Sequence, residues 1–404
     1  MTPYKVNVRR YAPALVIALS ACTPAAAPIT ASASASASAS VPASASASAS
    51  APASASAPVP APVPAAAPVP GSGVPLDAPV TETQVSTPSP RLAAGTGTPA
   101  DKALSAGDDA YAAGSYAVAE KAYKKAAILA PKDAAPLVGI VRARLAAEDA
   151  PLEYAAAPNH KGLIAATKEL EKAIKLDSTF GPAHLELGRA LLVLGRPEEA
   201  LAALRKATEL SPQDAEAHSA LGVGLVATGK LEPAEKELAR AAEIEPGNAE
   251  RFTNWGTVLL ALGKSAEAVR VYEKAGRLAP GDARVQNDLG TALLTVNETD
   301  RAVHALEAAV AADPRRATYR SNLGYALAQK GDLPRAIVIY REALALDPEL
   351  VSAWINLGNA LAKQKKLGEA RAAYEKAQSI NPDDPRVKAV LLELTAIEQR
   401  GAKP

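Results

Sequence analysis

Apolar and small residues recur with two superimposed periods along residues 181–384. Over short stretches they fall at i, i+1 and i+4, as Leu187, Gly188 and Leu191 do, which places them on one face of an α-helix. On a longer scale the same kinds of residue return every 34 residues. The clearest column consists of Pro212, Pro246, Pro280, Pro314, Pro348 and Pro382. This pattern predicts stacked helix pairs, each closed by a proline that cannot continue its helix.

Two further columns explain how the helices of each pair pack. One column is glycine: Gly188, Gly222, Gly256, Gly290, Gly324 and Gly358. A second column is alanine: Ala200, Ala234, Ala268, Ala302, Ala336 and Ala370. Small residues on both helices predict a close crossing, with the glycine giving room to a side chain of the second helix.

A third feature marks the turn inside each pair. Gly195, Gly229, Gly263 and Gly331 fall where the first helix ends, and a residue with positive φ is favoured there. Asn297 replaces glycine in one repeat, and asparagine tolerates that conformation. Lys365 is the one departure, from which we expect a looser turn in the last repeat.

The 34-residue helix–turn–helix unit resembles the tetratricopeptide repeat (TPR). Six units fit from residue 181 to residue 384 and a seventh fits at 100–133. The intervening residues, 134–180, read as an eighth unit with a thirteen-residue insertion near 150–162. The resemblance implies an all-α, right-handed superhelical solenoid at 100–384. Residues 385–404 then form a C-terminal capping helix and tail.

The N-terminus carries a different signal. Lys5, Arg9 and Arg10 precede an apolar stretch at 11–21, which has the length of a signal-peptide core and is too short to span a bilayer as a helix. The stretch ends in Leu-Ser-Ala followed by Cys22, which resembles the lipobox of bacterial lipoproteins. That resemblance implies cleavage after residue 21 and lipidation of Cys22. Thr23, in place of Asp, favours sorting to the outer membrane of a Gram-negative cell. A general secretory signal that happens to end in cysteine is the alternative.

Residues 22–99 are dominated by Ala, Ser, Pro and Val, and residues 23–99 contain only Asp77, Glu82 and Arg91 as charged side chains. This composition offers little apolar surface to offset the entropy of ordering, so it predicts a disordered tether. The tether would hold the solenoid clear of the lipid surface.

Charge and composition exclude several classes of function. The net charge is +1 and aromatic residues make up 4% of the chain, which argues against nucleic-acid binding. The single cysteine excludes an intrachain disulfide or a cysteine-based zinc site. No catalytic motif is evident, so we expect no enzymatic activity, no cofactor and no metal. His184 and His218 share one column, but Phe252, Arg320 and Trp354 occupy it in other repeats, which indicates a tolerant packing position.

By the TPR resemblance, the first helices of the pairs line a concave groove that binds a protein or an extended peptide. Amide and carboxylate side chains recur at the sixth position of the repeat and near it, and they resemble the asparagine ladder of O-GlcNAc transferases. The candidate groove residues are Asn254, Asp288, Asn322, Asn356, Asn287 and Asn359. The earlier half of the groove is expected to be apolar, with Leu185, Leu192, Val193 and Val226. The alternative is that asparagine at this column is only a feature of the repeat consensus.

Together these features predict a non-enzymatic interaction scaffold, lipid-anchored in the cell envelope. Its plan is similar to that of TPR lipoproteins that serve outer-membrane assembly or pilus biogenesis. An adaptor or regulatory subunit of an envelope enzyme, acting on peptidoglycan or transferring sugars, is the alternative. The sequence leaves the oligomeric state and the identity of the partner open.

Overall fold

The structure is a computed structural model and describes residues 91–150 and 155–401. The predicted signal peptide, Cys22 and most of the predicted tether lie outside these residues. Nine of the described helices are either the first helix of a pair or, for α17, the final helix: α1 (Pro99–Ala112), α3 (Ala135–Ala147), α5 (Gly181–Val193), α7 (Ala215–Ala227), α9 (Ala249–Ala261), α11 (Ala283–Thr295), α13 (Ala317–Lys330), α15 (Val351–Lys363) and α17 (Pro385–Gly401). Eight helices complete the pairs: α2 (Tyr116–Leu129), α4 (Lys161–Leu176), α6 (Pro197–Leu210), α8 (Leu231–Ile244), α10 (Ser265–Leu278), α12 (Thr299–Ala312), α14 (Leu333–Leu346) and α16 (Leu367–Ile380).

The described residues therefore form an all-helical solenoid of eight helix pairs and a final helix, α17, as the repeat pattern predicts. Each even-numbered helix packs between its own odd-numbered partner and the next one. Successive odd-numbered helices also contact one another, whereas no two even-numbered helices do so in the described part of the chain. The odd-numbered helices thus lie on the inner side of the solenoid. None of the described helices combines the length and the apolar character needed to cross a bilayer.

The glycine column sits where the two helices of a pair cross. A Cβ at Gly188 would lie 2.4 Å from Leu204 Cγ, and one at Gly358 would lie 2.2 Å from Tyr374 Cε1. The same relation holds for Gly256 beneath Tyr272. These leucine and tyrosine side chains are buried, so they cannot give way to an added methyl group. The predicted close crossing is confirmed.

The turns inside the pairs have the predicted left-handed residue. Gly195, Gly229, Gly263 and Gly331 have φ between 71° and 93°, and Asn297 has φ of 62°. Lys365 also adopts this conformation, with φ of 61°. The expectation of a looser last turn was therefore wrong, because the helix packing on both sides imposes the same turn on a residue that adopts it less readily.

The segment between α3 and α4, where the sequence analysis places an insertion near 150–162, contacts the next repeat through its described part. The backbone N–H groups of Ala155 and Ala157 donate to the carbonyls of Leu192 and Val193 at 3.0 and 3.3 Å. These carbonyls belong to the last turn of α5, which leaves such groups without partners inside the helix. His160 then caps α4 by accepting the N–H of Leu163 at its Nδ1 (3.2 Å).

Candidate functional site on the inner wall

The inner wall is the surface formed by the odd-numbered helices α1 to α15, where they face one another across successive repeats. Residues at the second, sixth and ninth positions of the units, and residues next to them, form ion pairs and hydrogen bonds from one repeat to the next. One example is Arg142 on α3, whose Nε donates to Glu186 Oε1 on α5 at 2.7 Å. Contacts of this kind define the candidate site.

A row of buried charges runs along the wall from α3 to α9. Arg189 on α5 lies 3.6 Å from Glu216 on α7, and Arg251 on α9 donates to Glu216 at 2.8 Å. Arg251 also donates to Glu245 at 2.9 Å, and its side chain is 1% exposed. Burial alone would raise the pKa of Glu216, but Arg251 and Arg189 outweigh it and lower that pKa.

This row was missed by the sequence reasoning, which expected an apolar zone in the same half. Leu185, Leu192, Val193 and Val226 are buried in the hydrophobic core. The prediction of an apolar zone was therefore wrong: these residues pack between helices, and the charged side chains beside them reach across the wall. Opposite charges recurring one repeat apart, such as Glu186 with Arg142 and Glu216 with Arg251, are the signal that could have revealed the row.

The amide residues lie on the odd-numbered helices α9 to α15 as expected, and several bind one another. Asn322 donates from Nδ2 to Asn287 Oδ1 at 2.8 Å, and Asn287 donates to Asp288 at 3.3 Å. Asn359 accepts the hydroxyl of Tyr374 at 2.7 Å, and Asn356 is buried. Asn287, Asn322 and Asn359 are thus already engaged within the chain.

Glu250, Asn254 and Arg284 form a polar cluster at the centre of the wall. Glu250 and Asn254 are four residues apart on α9 and share a face, and Arg284 is the equivalent of Glu250 one repeat later on α11. Their side chains are almost fully buried. Among the described residues, neither carboxylate oxygen of Glu250, nor Asn254 Nδ2, nor Arg284 Nε has a hydrogen-bond partner.

Burial also perturbs the two carboxyl groups of this region. It raises the pKa of Glu250 to about 7, although Arg284 and Arg251 act in the opposite direction. It raises the pKa of Asp288 to about 6, again against the effect of Arg284. Carboxyl groups in this state gain free energy from any new hydrogen-bond donor that reaches them.

The first repeat shows what the same positions do when a chain segment lies on them. Residues 91–97, which the composition assigned to the tether, lie against α1 and turn at Gly95 and Gly97, whose φ angles are 75° and 71°. Asp108 Oδ2 accepts the backbone N–H groups of Leu92 and Ala93 at 2.9 and 3.0 Å. Asp101 accepts three more, from Ala94, Gly95 and Gly97, at 2.8 to 3.2 Å. Arg91 completes the contact by donating to Ser105 Oγ at 2.8 Å.

Asp101, Ser105 and Asp108 occupy the second, sixth and ninth positions of their unit. The inner wall of the first repeat therefore binds the preceding segment of its own chain mainly through that segment's backbone. These hydrogen bonds, with that of Gly97 foremost, lower the pKa of Asp101. Glu250 occupies the same position four units later, and its pKa is raised instead.

The column of His184 and His218 has a definite role that the sequence reasoning did not identify. Each side chain donates to, or shares a hydrogen bond with, a backbone carbonyl six residues earlier, in the loop between repeats. The bonds are His184 to Ser178, His218 to Pro212, Gln286 to Pro280, Arg320 to Pro314 and Trp354 to Pro348. The interpretation as a tolerant packing position was therefore incomplete, because five side chains of four chemical types each have a nitrogen that reaches this carbonyl.

Within residues 91–150 and 155–401, no group of three or more His, Cys, Asp or Glu side chains is placed so that it could hold a metal ion.

Comparison with known families agrees with this architecture. Two family models, each described as a tetratricopeptide repeat, match the chain at residues 253–295 and 287–351, and at 163–223, 194–253 and 327–394. Together the matches run without a gap from residue 163 to residue 394, which is more than half of the chain. The chain belongs to the tetratricopeptide repeat family. TPR proteins bind proteins or peptides, and the fold is typically a non-catalytic scaffold.

Several solved structures resemble this solenoid. A chain of the APC/C hetero-tetramer Cut9–Hcn1 matches with a TM-score of 0.52 and 16% identity over 73% of this chain. The match spans 55% of the length of that chain, so the likeness concerns the fold alone. YrrB, described as a TPR protein with an unusual peptide-binding site, matches with a TM-score of 0.40 and 24% identity over 49% of this chain and 99% of its own. MamA of Desulfovibrio magneticus RS-1 matches with a TM-score of 0.40 and 25% identity over 42% of this chain and 96% of its own. No functionally curated protein matches the chain.

Proposed function

We propose that this TPR protein is a non-enzymatic scaffold of the cell envelope, anchored through Cys22, whose inner wall binds an extended segment of a partner protein. The observation that carries the binding mode is the segment at residues 91–97. Five of its backbone N–H groups are accepted by Asp101 and Asp108 on the inner wall of the first repeat. The inner wall of the first repeat thus already accepts main-chain N–H groups, those of the segment that precedes α1.

The chemistry of the later repeats supports the same mode. Asn254, Asp288, Asn322 and Asn356 recur at one position of successive units. An amide supplies both a donor and an acceptor, and a carboxylate supplies acceptors, so the column suits the alternating N–H and C=O groups of an extended backbone. A protein or peptide partner fits this wall, whereas the neutral overall charge does not favour a nucleic acid.

The envelope location rests on the first 22 residues. A basic start, a short apolar core and a small-residue stretch that ends at Cys22 support lipidation at that cysteine. Two or more acyl chains hold a protein at a membrane far more durably than one, since each buried methylene adds ~0.8 kcal/mol. A solenoid tethered in this way resembles in plan the lipoproteins of outer-membrane and pilus assembly, which supports an assembly role.

Membrane fractionation tests the anchor. The Cys22→Ser variant is expected to leave the membrane fraction and appear in the soluble fraction, while Ser20→Ala, which keeps the cysteine, is expected to remain in the membrane. Identical partitioning of Cys22→Ser and the wild type would contradict lipid anchoring.

In-cell cross-linking followed by mass spectrometry tests the binding wall. We compare the wild type with the Asn254/Asn322/Asn356→Ala variant and with a control that changes Ile128 and Val338, exposed on the even-numbered helices, to Ser. A partner captured by the wild type and the control but lost from the amide variant is the expected result. An identical catch from all three proteins would show that binding uses another surface.

A further inference from the structure

The even-numbered helices of the first two pairs, α2 and α4, carry an excess of positive charge on the outer side of the solenoid. Together they contain seven lysines and three glutamates. The next two even-numbered helices, α6 and α8, contain four basic and seven acidic residues. The net charge of +1 for the whole chain therefore conceals a basic region at one end of the solenoid.

Most of these lysines are exposed on one side of their helix. On α2 two of them are four residues apart, and on α4 four of them recur at spacings of seven, four and three, which keeps them on a single face. The seventh, Lys124, pairs with Glu120 at 2.8 Å. We call the other six the basic outer face: Lys121, Lys125, Lys161, Lys168, Lys172 and Lys175.

The glutamates of the two helices are directed elsewhere. Arg144, on α3, donates to Glu169 on α4 at 2.8 Å and to Glu120 on α2 at 3.4 Å, so it neutralises both helices from within the solenoid. The third, Glu171, interacts electrostatically with Arg196 of the next repeat. Among the described residues, no carboxylate lies within 4.0 Å of a lysine of the basic outer face. The positive charge of this face is therefore left for something outside the chain.

Exposed aliphatic side chains lie among these lysines. In the described part of the chain nine large hydrophobic side chains are exposed, and five of them belong to α2 and α4: Val118, Ile128, Leu129, Ile164 and Leu176. On α2, Val118 and Leu129 share one helix face with Lys121 and Lys125, at positions i, i+3, i+7 and i+11. Lysines combined with aliphatic side chains on an exposed helix face are typical of contact with a lipid interface.

The chain that precedes the solenoid joins it at this same end. Leu92 is bound to Asp108 of α1, and α1 packs against α2. Residues 22–90 therefore connect Cys22 to the repeat that carries half of the basic outer face. A tether of this length has a root-mean-square span of roughly 40–50 Å, which keeps α2 close to a bilayer that holds an acylated Cys22.

We propose that the basic outer face is a second membrane contact, which binds the headgroups of an anionic phospholipid bilayer. The lysine ammonium groups meet the headgroup phosphates, and the aliphatic side chains enter the boundary between headgroups and acyl chains. The proposal rests on the proposed function for the envelope location, and adds to it which end of the solenoid faces the lipid. It replaces the expectation that the tether holds the whole solenoid clear of the surface.

A bilayer suits this face better than an acidic protein does. The lysines and aliphatic side chains are spread over two helices that do not contact each other, and separate headgroups bind such charges individually. In cells the acyl chains at Cys22 hold the protein at the membrane whether or not the face is bound. Substitution of Ile128 alone therefore leaves the capture of a protein partner by the inner wall unchanged.

Vesicle binding tests the contact without the lipid anchor. The protein is the chain from residue 22 to residue 404 with Cys22→Ser, so that neither the signal segment nor an acyl chain contributes. Sedimentation with vesicles of phosphatidylcholine, either pure or with one third phosphatidylglycerol, measures binding at low and high salt. The face variant is Lys121/Lys125/Lys168/Lys172→Gln. The control variant removes four exposed lysines on or next to α6, α8 and α16: Lys206/Lys236/Lys366/Lys376→Gln.

A fluorescent label reports which side of the solenoid meets the lipid. Cys22 is the only cysteine of the chain, so a single new cysteine takes the label. The matched positions are Val118→Cys on α2 and Val338→Cys on α14, because the two valines are 60% and 53% exposed. The label is an environment-sensitive fluorophore whose emission shifts to the blue at a lipid interface.

We expect the parent protein to bind the anionic vesicles, to bind less at high salt and not to bind pure phosphatidylcholine. The face variant is expected to bind roughly a hundredfold or more weakly, at roughly fivefold per lysine, while the control variant binds like the parent. The label at Val118 shifts to the blue and the label at Val338 does not. Thermal melting confirms that each variant is folded.

Four outcomes overturn the proposal. Equal binding by the face and control variants would place the contact elsewhere, and equal shifts of the two labels would mean that no particular side meets the lipid. Absence of binding to anionic vesicles would show that the face does not bind lipid. Capture of an acidic protein by a photoreactive residue at Val118 in cells would make it a protein interface. Fractionation of Cys22→Ser measures the lipid anchor separately, so failure of this contact and failure of the proposed function are distinguishable.

Discussion

Arg251, on α9, donates a hydrogen bond from Nη2 to Oε2 of Glu216, on α7, at 2.8 Å, and so joins two successive repeats through the inner wall. The same guanidinium donates from Nε to Glu245. It is 1% exposed, so water cannot replace these bonds if the arginine is removed.

We therefore expect Arg251→Ala to lower the free energy of unfolding by about 3 kcal/mol, because it removes the closest partner of the largely buried Glu216 and leaves that carboxylate only Arg189, at 3.6 Å. The control is Arg335→Ala, whose pair with Glu307 is exposed (57% and 44%) and should cost less than ~1 kcal/mol. Denaturant unfolding of the two variants measures both quantities. Equal losses would mean that the inner-wall pair behaves like a surface pair.

The raised pKa of Glu250 should be visible in the pH dependence of stability. Its pKa is about 7 in the folded protein, against 4.5 for an ordinary glutamate. Between these pH values the unfolded chain releases the proton while the folded chain keeps it. The contribution of Glu250 to the free energy of unfolding therefore falls as the pH rises from about 4.5 to 7 and is constant above pH 7. Glu250→Gln removes this fall, and we expect the variant to be more stable than the wild type at pH 8, by on the order of 1–3 kcal/mol.

Glu216→Gln is the matched comparison for that measurement, because the pKa of Glu216 is lowered rather than raised. Its contribution is present above the ordinary glutamate pKa and is lost as pH falls below it. Glu216→Gln should therefore destabilise the protein at pH 8. Thermal melts from pH 4 to pH 8 decide the matter, and a loss of stability at pH 8 in both variants would contradict the account of Glu250.

The helix crossing can be tested at Gly358. A Cβ at this position would lie 2.2 Å from Cε1 of the buried Tyr374, whose hydroxyl is held by Asn359. Gly358→Ala is expected to cost ~1–3 kcal/mol through overpacking. Gly368→Ala, in α16 with no atom within 4 Å of the added methyl group, should instead stabilise the helix by ~0.5–1 kcal/mol. An unchanged melting curve for Gly358→Ala would contradict the observed crossing.

The hydrogen bonds between the first repeat and residues 91–97 should be visible in amide hydrogen exchange. Asp101→Ala removes the acceptor of the Ala94, Gly95 and Gly97 N–H groups, so exchange at these three amides should accelerate by roughly tenfold or more. Asp109→Ala, which removes only an exposed pair with Arg91, should leave them unchanged. Fast exchange already in the wild type would show that the segment does not rest on α1 in solution.

The repeat register and the helix pairs could be predicted from the sequence because they depend on local periodicity and on small residues at fixed spacing. Gly188 and Ala200 signal a crossing, and Gly195 signals a turn, without any knowledge of distant contacts. Lys365 shows the limit of such reasoning. The packing of α15 and α16 determines its positive φ, whatever its intrinsic preference.

The site was harder to predict because its contacts join different columns of different repeats. The position that Asn254, Asp288 and Asn322 share on the odd-numbered helices could be predicted from the family pattern. The bond from Asn322 to Asn287, and the pairing of Arg251 with Glu216, depend on side-chain rotamers that neighbouring helices select. The donor column of His184 and Trp354 escaped notice because its members share one N–H group and little else.

The central claim is that partners bind along the inner wall. Site-specific photo-cross-linking in intact cells tests it most directly, with a photoreactive amino acid at Thr257, the ninth position on α9, or at Ile128, which is 80% exposed on α2. Our account predicts one partner protein that cross-links from Thr257 and not from Ile128, through a short segment identified by mass spectrometry. A partner captured from Ile128 alone would contradict it, and would place the binding surface on the outer helices.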